Sequence, residues 1–188
     1  MASAGDSGLE YIGGNNVSSD GAISGWSFTN IPSDYLHIDF KVRAAFDGSY
    51  AYPFASRVNL GDGSFDTGSH YNRGVSWGFH NSRYSFGDSR QAYGQIGTFP
   101  ATDPPAGTTD GHLGIIEGTL WNYSDANKYT AITFDSFTMT DGTVSSYNYW
   151  YWGWMHYRQL NVVDHFQIAY PGWNLKQNSR FDLWGWVR

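Results

Sequence analysis

The sequence contains no cysteine, so disulfide bridges, thiolate metal ligands and cysteine nucleophiles are all excluded. Positive charge is scarce: 11 Lys and Arg stand against 17 Asp and Glu, and the net charge of -6 argues against nucleic acid or an anionic membrane as the main partner. No window approaches the roughly 18 apolar residues of a membrane-spanning helix. The first residues lack the basic and apolar regions of a signal peptide, so we expect neither membrane insertion nor classical secretion.

Length and composition indicate one folded domain over residues 1–188. Hydrophobic residues make up 40% of the chain and charged residues only 15%, a balance that disordered chains do not have. The 23 Gly and 6 Pro are spread along the whole sequence and leave little room for long helices. The composition therefore favours an all-β fold.

Turn signals and strand signals alternate along the chain. Five Asp-Gly pairs predict tight turns. Between them the apolar period is two: in residues 35–46, Ile38 and Phe40 lie on one face of a predicted strand, and Asp39 and Lys41 lie on the other. About eight or nine such strands with short connections predict an antiparallel β-sandwich of jelly-roll type. The small, polar residues 1–11 are predicted to form a short mobile N-terminal arm.

The most aromatic segment is residues 144–158, where strand alternation places tyrosines on one face and tryptophans on the other. The two sets are Tyr147, Tyr149, Tyr151 and Tyr157, and Trp150, Trp152 and Trp154. Aromatic rings on both faces suit a strand that lies between the core and a neighbouring subunit, which is the favoured interpretation. The alternative is that one set stacks on sugar rings.

Candidate catalytic residues are few. A Trp- and Tyr-rich β-sandwich of this length suggests a retaining glycosidase, but such enzymes need two opposed carboxylates, and the only glutamates are Glu10 and Glu117. An aspartate-based hydrolase stays open. Residues 74–78 match G-x-S-x-G, a motif that has meaning only at a strand-to-helix turn. We therefore expect no catalytic residues and no enzymatic activity.

Metal and cofactor motifs are also weak. His37 and Asp39 share one strand face, a spacing that suits half of a metal site and, more often, a solvated pair. Residues 61–66 resemble a calcium loop but lack its closing glutamate, so a plain turn is favoured. Since no phosphate-binding or dinucleotide motif occurs, the prediction is that the protein holds no metal and no cofactor.

Three stretches resemble a family of tailed-bacteriophage virion surface proteins. Residues 28–38 are similar to an opening Phe-x-x-Ile-Pro-x-x-Tyr-x-His strand, residues 121–129 to an Asp-Tyr-x-x-x-Asn-Lys-Tyr turn with Asn122 in place of the Asp, and residues 181–187 to a final aromatic-x-Leu-Trp-Gly strand. The resemblance implies a jelly-roll sandwich that assembles as a homotrimer on a virion. It carries no catalytic residues.

The resulting prediction is a non-enzymatic capsid decoration, or cement, protein on the outer surface of a phage head, made in the host cytoplasm. The alternative is a tail fibre or receptor-binding module that recognises host surface glycans. Expected partners are further copies of the chain, capsid or tail proteins and, in the alternative, a glycan. The candidate oligomer or ligand interface consists of Tyr147, Tyr149, Trp150, Tyr151, Trp152, Trp154, Tyr157, Trp184 and Trp186. Leu9 and Tyr11 are the candidate capsid contacts of the arm.

Overall fold

The computed structural model describes residues 8–19, 24–45, 54–79, 82–99, 114–138, 149–169 and 174–187. These residues form twelve β-strands and no helix. The strands are β1 (Leu9–Asn16), β2 (Gly25–Phe28), β3 (Tyr35–Ala44), β4 (Phe54–Gly61), β5 (Tyr71–Phe79), β6 (Ser82–Gln91), β7 (Gly94–Phe99), β8 (Gly114–Trp121), β9 (Thr130–Thr138), β10 (Tyr149–Tyr157), β11 (His165–Ala169) and β12 (Arg180–Val187).

The strands form two antiparallel sheets, as the sequence predicts. The larger has eight strands in the order β1-β12-β3-β8-β9-β10-β5-β6, and the smaller has four in the order β2-β11-β4-β7. The chain crosses repeatedly between the sheets, so that sequence neighbours such as β2 and β3 lie in different layers. The jelly-roll type of sandwich stays a prediction.

The core lies between the two sheets and includes phenylalanines from both of them. In β3 every second side chain is buried, from Ile38 through Phe40 to Val42, which confirms the predicted alternation. Phe40 of the larger sheet contacts Phe166 of the smaller, with ring centroids 5.2 Å apart, and Phe166 is 5.2 Å from Phe181 on β12. These edge contacts between rings join the two layers.

The structure has more strands than the eight or nine predicted, and the difference has physical causes. Every side chain of β6 is exposed or half-buried, so no buried apolar alternation marks it as a strand. The arm prediction also differs from the structure for residues 9–11. Leu9 and Tyr11 begin β1 and pair with Trp186 and Trp184 of β12, because main-chain hydrogen bonds hold an edge strand without an apolar pattern. Residues 1–7 of the predicted arm lie outside the described residues.

Candidate binding site on the eight-stranded sheet

One face of the eight-stranded sheet points away from the core, and we call it the outer face. The register of β12, β3, β8, β9 and β10 places outward-pointing side chains in rows that cross the strands. One row consists of Trp184, Asp39, Thr119, Thr133 and Trp154. The adjacent row consists of Asp182, Lys41, Glu117, Asp135 and Trp152.

A groove of about 680 Å³ lies across the middle of the outer face. Trp184 lines it on β12 and Trp152 lines it on β10, while Lys41, Glu117 and Asp135 belong to the lining between them. Four strand spacings separate β12 from β10, which corresponds to about 19 Å at roughly 4.8 Å per spacing. The volume is within the range of small-ligand sites, and the length is sufficient for several sugar rings.

The tryptophans of β10 lie on the outer face. Trp152 and Trp154 are 42% and 44% exposed, whereas Met155 and Tyr157 of the same strand are buried. The Trp150 and Trp152 rings stack on each other, with centroids 4.5 Å apart and planes 4° from parallel. Large exposed apolar side chains grouped on one face are typical of a binding surface.

Glycines on β5 make room for these rings. Gly74 pairs with Trp154 and Gly78 with Trp150. A Cβ added at Gly74 would lie 2.7 Å from the Trp154 indole, and one at Gly78 would lie closer still to Trp150. The two glycines of the G-x-S-x-G match therefore have a packing role. The match lies inside strand β5, and the described residues contain no helix that could form a strand-to-helix turn.

Two further tryptophans are held in place by hydrogen bonds. The Trp186 indole N–H donates to Oδ2 of Asp39 at 2.8 Å, and the Thr119 hydroxyl donates to Oδ1 of the same carboxylate at 2.6 Å. The Trp121 indole N–H donates to the Thr133 hydroxyl at 2.8 Å. Both rings are exposed, and their orientations are fixed before any ligand binds.

The charged side chains of the outer face differ in their partners. Lys41 forms an ion pair with Glu117, and Asp182 accepts hydrogen bonds from Arg180 and from the Tyr11 hydroxyl. The hydrogen bond and charge of Asp182 raise the pKa of Arg180, which favours the charged guanidinium. Asp135 is exposed, and within the described part of the chain it has neither a hydrogen bond nor an ion pair.

His37 lies beside this surface, but the described residues around it do not form a metal site. Its ring is 4.4 Å from that of Trp121, and its buried Nδ1 has no hydrogen-bond partner among the described residues. Burial lowers the pKa of His37, which favours the neutral ring. Both oxygens of Asp39 already accept hydrogen bonds. No group of three or more potential metal ligands occurs in the residues that the structure describes.

The loop after β4 that resembles a calcium loop, residues 61–66, is held by hydrogen bonds within the chain. Asp66 accepts hydrogen bonds from the Gly68 N–H at 2.6 Å and from the Tyr157 hydroxyl at 2.9 Å, and its carboxylate lies 2.6 Å from the His70 ring nitrogen. Burial alone would raise the pKa of Asp66, but these hydrogen bonds hold it below its usual range. The carboxylate thus fixes the loop to β10.

The predicted interface residues divide between the outer face and the interior. Trp150, Trp152 and Trp154 on β10 and Trp184 and Trp186 on β12 all lie on the outer face, in two groups four strand spacings apart. Tyr157 is only 1% exposed and Tyr151 packs against the core, so the interface prediction is corrected for these two residues. Tyr147 and the side chain of Tyr149 lie outside the described residues. Leu9 and Tyr11 are exposed, on strand β1.

Sequence reasoning missed the polar part of the site. Asp39 and Lys41 were predicted to share a strand face, but nothing indicated that they would lie beside Glu117 and Asp135. Alternation within β8 and β9 was the available signal, since Glu117 follows buried Ile116 and Asp135 lies between buried Phe134 and Ser136. The missing information was the register between the strands.

Comparisons of the chain with protein-family models, with curated proteins and with solved structures find no match. None of the described segments forms a helix of the length and apolarity that crossing a membrane requires.

Proposed function

We propose that the protein is a non-enzymatic carbohydrate-binding module and that its ligand lies in the groove of the outer face. The observation that carries this proposal is a combination of two features on neighbouring strands. The indole rings of Trp152 and Trp154 on β10 are exposed, and the polar side chains of Asp135 and Thr133 lie beside them on β9. Sugar rings present apolar C–H faces and a rim of hydroxyls. A surface with flat apolar rings and nearby hydrogen-bonding groups is complementary to both.

The tryptophan rings of the outer face are already held in fixed orientations, and this supports the same function. Trp186 and Trp121 are held by hydrogen bonds, and Trp150 is held by its stack on Trp152. Rings that are already oriented lose little rotational freedom when a ligand binds, so less of the interaction energy is spent on ordering. This function corresponds to the receptor-binding alternative of the sequence analysis, in which the ligand is a host surface glycan and the protein belongs to a virion.

The contacts of the carboxylates that line the groove support a binding role without catalysis. Hydrolysis by two carboxylates requires one to act as an acid and one as a base or nucleophile. Glu117 is paired with Lys41, and both oxygens of Asp39 are used to hold Trp186 and Thr119. Asp135 alone is left to contact a ligand among the described carboxylates of the groove.

A capsid decoration protein is the second candidate, and an observation at the sheet edge favours it. β1 is an edge strand, and Leu9 and Tyr11 on it are 48% and 50% exposed beside the exposed Trp186. An unpaired edge with apolar side chains suits contact with a second copy or with a shell protein. In this candidate the protein is a homotrimer on the outer surface of the head, as the resemblance implies.

The test of the proposed function is binding of the full chain to an array of neutral, amino and anionic oligosaccharides. The variant is Trp152→Ser with Trp154→Ser, and the control is Tyr84→Ser. Tyr84 is also 50% exposed but lies in the row of buried Val42 and Ile116, on the opposite face of the sheet. We expect the double variant to lose roughly tenfold or more in affinity while the control binds normally. Absence of binding to every oligosaccharide would contradict the proposal.

A further inference from the structure

Asp135 occupies an unusual position in the groove. Its neighbour across the strands on one side is Glu117 and on the other side is Trp152. It therefore has a like charge on one side and an exposed indole ring on the other. Within the described residues no cation is paired with it, although Glu117 has Lys41 and Asp182 has Arg180.

The charge of the groove follows from its lining. The ionisable side chains that line it are Asp39, Glu117 and Asp135, which are acidic, and Lys41, which is basic, so three negative charges and one positive charge give -2. The net charge of the whole chain, -6, has the same sign. Such a site repels uronates, sialic acids and phosphorylated sugars, and it attracts cations.

A protonated amine is the ligand group that this arrangement complements. It donates charge-assisted hydrogen bonds to a carboxylate, and it is also attracted to the face of an adjacent indole ring. Asp135 offers the carboxylate, and Trp152 on the neighbouring strand offers the ring. A neutral hydroxyl makes only the weaker, uncharged version of the first contact.

We propose that the glycan bound in this groove contains amino sugars with free amino groups, which pair with Asp135 beside Trp152. This inference rests on the proposed function, because it names the class of carbohydrate that the same site takes. It goes beyond that function in assigning the ligand a positive charge and in assigning Asp135 the role of selecting it.

The test compares three soluble probes by calorimetry on the full chain: a glucosamine hexamer, its N-acetylated counterpart and an oligogalacturonate. We expect the glucosamine hexamer to bind about two- to fivefold more tightly per engaged amine than the acetylated hexamer at low salt, as befits an exposed charge contact. The advantage should shrink as salt is added. Oligogalacturonate should bind most weakly.

The variant Asp135→Asn should reduce binding of the glucosamine hexamer to the level of the acetylated one and leave the acetylated hexamer nearly unaffected. Asp62→Asn is the matched control, because it changes the net charge equally in the exposed loop after β4. Equal binding of the two hexamers by the unaltered protein would overturn the inference and leave the carbohydrate-binding function standing. Equal losses in the two variants would overturn the inference as well. If none of the three probes binds, the inference fails, and binding to other members of the oligosaccharide array decides the proposed function separately.

Discussion

The Trp186 indole N–H donates a 2.8 Å hydrogen bond to Asp39 on the neighbouring strand, although the two residues are 147 positions apart in the sequence. The same carboxylate accepts a hydrogen bond from Thr119 on the strand at its other side. Asp39 therefore joins three strands of the outer face and fixes the orientation of an exposed ring. The acid that sequence analysis weighed as half of a metal site has a positioning role for an aromatic side chain.

Replacing Asp39 tests this positioning role. Asp39→Ala removes both acceptors, so Trp186 is released and glycan affinity should fall about two- to fivefold. The free energy of unfolding should fall by about 1 kcal/mol, because the hydrogen bonds are partly exposed. Asp39→Asn keeps one acceptor oxygen and should recover part of the affinity. Calorimetry and urea denaturation measure the two effects, and a variant that binds as well as the unaltered protein would contradict the role.

Asp39 also illustrates how far sequence reasoning reaches. The alternation of β3 correctly placed Asp39 and Lys41 on its polar face, because period two follows directly from strand geometry. The partners of Asp39 depend on which strands flank β3. Its hydrogen-bond partners, Thr119 on β8 and Trp186 on β12, are 80 and 147 residues further along the sequence. No local sequence pattern encodes that pairing.

The β5 glycines show the opposite case, in which a sequence signal was present but had a different cause. Residues 74–78 were recognised as a motif match without the structural setting that would give it chemical meaning. The structure shows Trp154 and Trp150 above Gly74 and Gly78. Strand β1 is a different case, because its eight residues carry no sustained apolar alternation. Composition alone therefore predicted an arm where backbone pairing forms a strand.

Adding a methyl group at Gly78 should disturb the stacked tryptophans. Gly78→Ala places a Cβ within the space of the Trp150 ring, so we expect a loss of about 1–3 kcal/mol in the free energy of unfolding and weaker glycan binding. Gly87→Ala on β6 is the control, since its Cβ would lie 3.6 Å from the nearest atom. Near-UV circular dichroism should report the altered Trp150–Trp152 stack in the first variant alone. Equal behaviour of the two variants would show that the glycine has no such role.

Acid should weaken the loop after β4 through Asp66. The pKa of Asp66 in the folded protein lies below its usual range, so its hydrogen bonds add stability at pH values above the unfolded-state pKa of about 4. That contribution is lost as the pH falls through the lower folded-state pKa. Asp66→Asn should be less stable than the unaltered protein at pH 7 and should show a smaller further loss toward pH about 3.

Urea denaturation across this pH range measures the effect of Asp66. Asp62→Asn in the same loop serves as the control and should follow the acid profile of the unaltered protein, because Asp62 is exposed and has no corresponding hydrogen bonds among the described residues. If Asp66→Asn retained the full acid dependence, the hydrogen bonds from Gly68 and Tyr157 would not be its source.

Sedimentation of the double variant Trp152→Ser with Trp154→Ser tests whether these tryptophans form a subunit interface. These rings are exposed, so the variant should stay folded, with a loss in unfolding free energy far below that of a core substitution such as Tyr157→Ser. If the outer face binds glycan, the oligomeric state should not change. Dispersal of a trimer by the double variant would instead support the subunit interface that the sequence analysis favoured.

The most direct test of the central claim is a nuclear magnetic resonance titration that follows the indole N–H signals of the nine tryptophans. The glucosamine hexamer and its acetylated counterpart serve as ligands. The account predicts saturable shifts for Trp152 and Trp184, which line the groove, and for the exposed Trp154 next to it on β10, with the signal of buried Trp26 unchanged. Signals of the outer-face indoles that stay in place with both hexamers, or that move no more than that of Trp26, would contradict it.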